Sequence, residues 1–157
     1  MKPVINLDQL DLEACNEGPF RQSYGIISDR IGARKLGYNL TIVPPGAKAC
    51  PKHNHHANEE MFFVLSGTGL LRFGDDEYPL RANDVIACPP GKRLVAHQIV
   101  NTGDTDLRYL AISTKERVDI VEYPDSNKVG AFVGDYAAMD LSAMFKADST
   151  VGYNEGE

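Results

Sequence analysis

Residues 53–67 read HNHHANEEMFFVLSG, and they set three of the chain's four histidines and two adjacent glutamates directly before a run of apolar side chains. Phe62, Phe63 and Val64 favour a pleated, half-buried surface, so the run from Glu60 to Ser66 is predicted to be a strand. Side chains alternate faces along an extended segment, which points His53 and His55 the same way. If the histidine segment pairs with the strand that opens at Glu60, the carboxylate faces both imidazoles across the sheet. Two imidazoles and a carboxylate are a ligand set that suits Fe, Mn, Ni, Co or Zn. The same residues also admit a plainer reading, a solvated loop that is merely rich in histidine.

The remaining histidine shifts the balance. His97 follows the turn CPPGK (88–92) and opens the apolar segment HQIVN (97–101), where nothing else accounts for it. Around these two stretches the chain is a series of short runs rich in Val, Ile, Leu, Tyr and Phe. They are YGIIS (24–28), YNLTIV (38–43), EMFFVLS (60–66), GLLRF (69–73), DVIACP (84–89), HQIVN and LRYLAIS (107–113). Between them lie PPG (44–46), SGTG (66–69), GDDE (74–77), RAND (81–84), PPG (89–91) and NTGD (101–104), each with the chemistry of a tight turn. Strands this short at this spacing predict an all-β barrel or sandwich. The opening to about Pro19 is expected to hold a short helix or an edge strand. Near the end, YPDSNKVGAFVG (123–134) reads as a loop, YAAMDLSAMFKA (136–147) as a helix and GYNEGE (152–157) as an acidic tail.

At 157 residues, with 43% hydrophobic and 24% charged residues, the chain fits one globular domain with a core that needs no staple. A formal charge of −6 gives no long-range attraction to nucleic acid or to an anionic membrane surface, so neither is an expected partner. Cys15, Cys50 and Cys88 are odd in number and far apart, which argues against a disulfide framework or a cysteine-only zinc site. Cys50 and Cys88 are read as small buried hydrophobes. With no segment of signal-peptide character and none long enough to span a bilayer, the cytoplasm is the expected location.

The two histidine stretches carry a family resemblance. The chain resembles the cupins, whose first motif is G(x)5HxH(x)3–4E(x)6G and whose second is G(x)5PxG(x)2H(x)3N. Gly46, His53, His55, Glu60 and Gly67 match the first, and Asn83, Pro89, Gly91, His97 and Asn101 the second. Three departures are visible. The gap from Gly46 to His53 is one residue longer than the pattern, Asn83 stands where glycine is usual, and residues 92–96 (KRLVA) add three residues before His97.

The resemblance implies a double-stranded β-helix, or jelly-roll, with short helical or irregular N- and C-terminal extensions. Residues 1–157 form a single domain in this reading, with the barrel at about 38–114 and a C-terminal extension at 115–157. It implies that His53, His55, Glu60 and His97 hold one divalent transition metal ion, Mn, Fe, Ni, Co or Zn. Glu60 rather than Glu59 is the ligand, because it keeps six residues before Gly67, and His56 and Glu59 are solvated or support the ligands. A homodimer is also implied, with the N-terminal segment against the partner's sheet. The wording around Glu60 resembles the sugar-phosphate isomerase-like small cupins, so the expected substrate is a small oxygen-rich anion. Fe- or Mn-dependent oxidation or decarboxylation is the alternative chemistry, and a small-molecule binder without catalysis the alternative class. The base of an isomerase is not readable: Tyr109, Glu59 and Lys52 are candidates. Arg72, Arg81, Lys92, Arg93 and Arg108 could grip an anionic substrate, but most of them read as ordinary solvated charges. YPDSNK (123–128) reads as a Pro-Asp turn, or else as a mouth segment presenting Tyr123, Asp125 or Lys128.

Overall fold

The computed structural model describes residues 2–135 and 138–157. Thirteen strands account for most of them: β1 Glu13–Glu17, β2 Phe20–Ile26, β3 Leu36–Val43, β4 Asn54–His55, β5 Glu60–Ser66, β6 Thr68–Phe73, β7 Asp76–Arg81, β8 Val85–Cys88, β9 His97–Val100, β10 Leu107–Thr114, β11 Val118–Tyr123, β12 Lys128–Asp135 and β13 Ala138–Lys146. One sheet has the order β1-β2-β3-β10-β5-β8. Opposite it, β13-β12-β11-β4 and β7-β6-β9 are joined through an isolated bridge between His53 and His97 into one continuous wall. All the strand pairings are antiparallel, and the two walls close a jelly-roll around a single core.

Alternation decides what the core contains. Along β5 the even residues Phe62 and Val64 are buried while Met61 is 41% exposed, and along β10 Leu107 and Tyr109 are buried. With Val43, Leu71, Leu80, Ile86, Cys88 and Ile99 they form the packed interior. Burial of such side chains, each contributing roughly 1.5–3 kcal/mol, is what holds the walls together. Leu10 and Leu12 of the N-terminal segment lie against Gly25 of the same chain, where an added Cβ would meet both side chains at 3.0–3.1 Å.

The predicted turns hold at two demanding positions. Gly67 joins β5 to β6 at φ 86°, and a Cβ there would meet the Asp106 carbonyl oxygen, so glycine is required on both counts. Asn83, where the motif has glycine, has φ 74°; its short polar side chain tolerates the left-handed conformation that β-branched or larger residues resist. Asn83→Ala is therefore expected to cost about 1 kcal/mol and Asn83→Gly to be neutral or mildly stabilising, measured by urea denaturation.

The C-terminal expectations need correction. Residues 123–134 are the end of β11, a 3-10 turn at Pro124–Ser126 and most of β12, not a loop. Residues 138–146 of the expected helix are strand β13, paired with β12 except at a bulge at Asp140; Tyr136 and Ala137 lie outside the described residues. A nine-residue segment beside a complementary strand gains a ladder of hydrogen bonds, interrupted only at Asp140, and tertiary pairing overrides the helix propensity of its alanines and methionines. β7 and β11 also went unread as strands, since Pro79 and the charges of residues 115–122 interrupt the apolar pattern. Among the described residues no helix is long and apolar enough to cross a membrane.

Candidate metal centre

The strands deliver four donor side chains to one end of the barrel. His53 and His55 come from the segment at β4, Glu60 from the first residue of β5 and His97 from the first residue of β9. Their Nε2 atoms converge on one oxygen of Glu60: 2.9 Å from His97, 3.4 Å from His55 and 3.6 Å from His53. His53, Glu60 and His97 offer ligand atoms that all lie within 4.8 Å of one another, and His55 joins them through Glu60. The route differs from the sequence expectation. β4 pairs with β11, and β5 pairs with β10 and β8, so Glu60 meets the histidines across the barrel interior rather than across a strand pair.

Each imidazole is oriented by a second contact. Nδ1 of His53 lies 2.8 Å from the Pro51 carbonyl, Nδ1 of His97 3.3 Å from the Val95 carbonyl, and Nδ1 of His55 2.6 Å from Asp119 Oδ2. Carbonyls and carboxylates only accept, so each Nδ1 carries a hydrogen, and each Nε2 is the ring atom left to face Glu60. Burial works against positive charge on the imidazoles, yet Cys50 and Glu60 hold His53 well above its ordinary range. At His55 the same burial is outweighed by Asp119 and Glu60, and its pKa rises to about 9. Glu60 is the mirror image: burial pushes its carboxyl up, and hydrogen bonds from the three histidines outweigh that and hold it well below the usual range. The pocket thus demands positive charge between its imidazoles and its carboxylate. A divalent transition metal fits that demand and the N/O donor set.

Residues 92–96 are folded away without disturbing His97. Gly91 N–H donates to the His55 carbonyl, and Asn54 Nδ2 donates to the Gly91 carbonyl at 2.8 Å, which pins the near end of the insertion. The far end is fixed by reciprocal bonds between the backbones of His53 and His97. The extra residues form a 3-10 turn at Arg93–Val95, closed onto the barrel by Gly74 N–H donating to the Ala96 carbonyl. Asn101, fully buried, donates to the Val43 and Thr105 carbonyls and so holds the far end of β9.

Asp119 is the supporting residue that sequence reading missed. It is 5% exposed, the second residue of β11. Its Oδ2 accepts from His55 and from Asn58 Nδ2 at 2.8 Å, and its Oδ1 accepts from the backbone N–H groups of His56 and Ala57. A carboxylate flanked by Val118 and Ile120 in RVDIVEY was the available signal. His56 and Glu59 are exposed, as expected; His56 Nε2 pairs with Glu122 at 3.0 Å. The three base candidates do not point at the donors. Tyr109 is buried behind Phe62, Glu59 is exposed, and Lys52 Nζ donates to the Gly74 carbonyl. Cys88 lies in the core, where burial pushes its thiol up, and half-buried Cys50 has its sulfur 3.7 Å from His53 Nδ1.

The turn at Pro124–Ser126 borders the centre. The Tyr123 ring lies 6.1 Å from that of His53, and the Lys128 ammonium sits 5.4 Å from the Tyr123 ring centroid. Arg72 ties the turn down: it donates to Asp125 at 2.8 Å and to Gln98 Oε1 at 2.7 Å, next to His97. Of the five basic residues read as solvated, Arg72 is the one with a structural place here.

A jelly-roll with a histidine and carboxylate cluster inside one end is the architecture of a metal-binding β-barrel class. Residues 39–113 match the family model described as "Cupin domain". A solved structure of a candidate sugar phosphate isomerase from Acidithiobacillus ferrooxidans superposes with a TM-score of 0.82, at 26% identity and 96% coverage of both chains. A cupin-superfamily sugar phosphate isomerase from Silicibacter pomeroyi has the same fold, with a TM-score of 0.81, 24% identity and coverage of 94% of this chain and 95% of the other. The oxalate-binding protein of Thermotoga maritima is 34% identical over 70 residues, 45% of this chain and 54% of that protein. The chain spans about half the length of the curated relatives it matches.

Proposed function

We propose that the chain is a metal-dependent cupin enzyme acting on a small oxygen-rich anion, with sugar phosphate isomerisation as its chemistry. The observation that carries this reading is the set of three imidazoles with their Nδ1 hydrogens anchored and their Nε2 atoms converging on one carboxylate oxygen. His53, His55, Glu60 and His97 would hold the ion. When bound, it supplies Lewis acidity toward a carbonyl or hydroxyl oxygen. The likeness to the Acidithiobacillus protein over nearly the whole of both chains supports the substrate class. The chain's own contribution beyond the ligands lies at the mouth. Lys128 supplies positive charge for the anionic end of the substrate, and Tyr123 shields His53 from water while carrying a hydroxyl within the same opening.

The test is nuclear magnetic resonance of pentose and hexose phosphates incubated with metal-loaded protein, following loss of the aldose and growth of the ketose signals. No interconversion of any member, with metal content verified, would overturn the isomerase reading. Lys128→Met is expected to raise KM for the phosphorylated substrate about tenfold with little change in kcat, the loss of one charge-assisted contact. The similarity to an oxalate-binding protein favours a second reading, Fe- or Mn-dependent decarboxylation or oxidation. Carbon dioxide release from oxalate, or oxygen uptake with diols and diketones, would select it. A tightly held metabolite without turnover would mark a binding protein.

A further inference from the structure

On β11, alternation places Asp119, Val121 and Tyr123 on the face of the wall that looks onto the metal centre. Asp119 meets His55, and the Tyr123 ring lies 6.1 Å from that of His53. Tyr123 pairs with Lys128 of β12, and Lys128 with Lys146 of β13. Directly paired residues share a face, so His53, Tyr123, Lys128 and Lys146 form one row across neighbouring segments. Both lysines turn toward the end of β11. The Lys128 ammonium sits 5.4 Å from the Tyr123 ring centroid, and Lys146 Nζ donates to the Ser126 carbonyl at 3.0 Å. The chain has a formal charge of −6, and Arg30, Arg72, Lys115 and Arg117 each pair with a carboxylate. Among the described residues Lys128 and Lys146 have no such partner; they lie opposite each other, a like-charge pair that costs stability. Ser126 adds an enclosed hydroxyl without a hydrogen-bond partner, a cost that an added acceptor removes.

We propose that Lys128 and Lys146, with Ser126, form a subsite for a phosphate dianion, set apart from the metal donors along this row. The inference rests on the proposed function and adds what that reading leaves open, the length and the charge of the ligand. Neighbouring strands lie about 4.8 Å apart, so Lys128 and Lys146 start roughly 10 and 14 Å from the backbone of His53. Flexible lysine side chains shorten the gap. Even so, a ligand that bridges both places must carry its dianion several bonds from the oxygen that meets the donors. A pentose or hexose phosphate has that length, with its phosphate at the far end of the carbon chain. Oxalate, whose two carboxylates are joined by a single bond, is too short to reach both. Two ammonium groups act as compact point charges, which suits the several acceptor oxygens of a phosphate. An anion between them also turns the repulsion across the β12–β13 pair into two attractions.

Isothermal titration calorimetry of the full chain with inorganic phosphate tests it, on metal-free and metal-loaded protein alike. The wild type is expected to bind phosphate in both states, since neither lysine is a metal donor. Lys146→Gln is expected to weaken binding about tenfold, the loss of one charge-assisted contact. Glutamine still offers a donor to the Ser126 carbonyl, so a lysine that merely held the turn would leave phosphate affinity unchanged in this variant. Lys146→Arg is expected to stay within about threefold of wild type, because a guanidinium also binds phosphate. Lys35→Met, an exposed lysine elsewhere, is expected to match the wild type. Should Lys146→Gln unfold by circular dichroism, Lys128→Met carries the same comparison. Phosphate binding lost with the lysine charge, but without interconversion of any sugar phosphate, sustains the subsite and overturns the isomerase reading alone. A wild type that does not bind phosphate, or a Lys146→Gln variant that binds it as tightly, overturns the subsite even where turnover is found.

Discussion

His97→Ala is expected to empty the metal centre, lowering metal affinity by more than about a hundredfold. Loss of a residue that merely orients a ligand typically costs 10–100-fold, and a direct donor carries more. His97 is the most enclosed of the four, 3% exposed, and its Nε2 makes the shortest of the three contacts to Glu60. Alanine there also leaves a void beside Phe62 and the His53 ring, so a loss of about 1–3 kcal/mol in stability is expected alongside. Elemental analysis of wild type and variant, reconstituted in parallel at a fixed free metal concentration, checks the first effect. His56→Ala is the control. It sits next to His55 in sequence but is exposed and paired with Glu122, so its metal content should match the wild type. A His97→Ala variant that retains wild-type metal would show that the donors do not act as a set, and the catalytic reading would lose its support.

The four side chains that cluster were legible in the sequence because each sits at the start of a strand or in a short segment with a strong local signature. HxH, the Glu60 run and the lone His97 after PPG are all local patterns. What brings them together is not local. Glu60 reaches the histidines because β5 lies in the wall opposite β4, a fact of jelly-roll topology that no spacing along the chain encodes. The KRLVA insertion looked disruptive on the same grounds, and only the backbone bonds from Gly91 and His53 show that it is sealed off before β9. The C-terminal third was misread for a different reason. β12 and β13 stabilise each other by pairing, and AMDLSAMFK taken alone has the composition of a helix. The short strand β11 was hidden by its charges, and one of those charges, Asp119, is the carboxylate that meets His55 Nδ1.

Asp119→Ala is expected to weaken metal binding by about 10–100-fold and to destabilise the fold by about 3 kcal/mol. The two effects have separate origins. The carboxylate holds the Nδ1 hydrogen of His55, which fixes the tautomer that leaves Nε2 free for the centre. It also accepts from His56 N–H, Ala57 N–H and the Asn58 amide, so alanine strands three further donors in a half-buried turn. Asp119→Asn separates them. It keeps an acceptor of the same size for the turn, so most of the stability should return, while the charge that orients His55 is lost and metal affinity stays low. The pH dependence has a definite sign. Burial raises the Asp119 carboxyl, but bonds from His55, Asn58 and Ala57 outweigh it and hold it below the ordinary carboxylate range. A carboxyl depressed in the folded protein contributes its stability in full above the unfolded value and loses it as the pH falls through the folded one. Urea denaturation of the metal-free protein should therefore show wild-type stability falling with acid more steeply than that of Asp119→Asn. Equal slopes, together with metal affinity unchanged in both variants, would reduce Asp119 to a packing residue and place the orientation of His55 elsewhere in the turn.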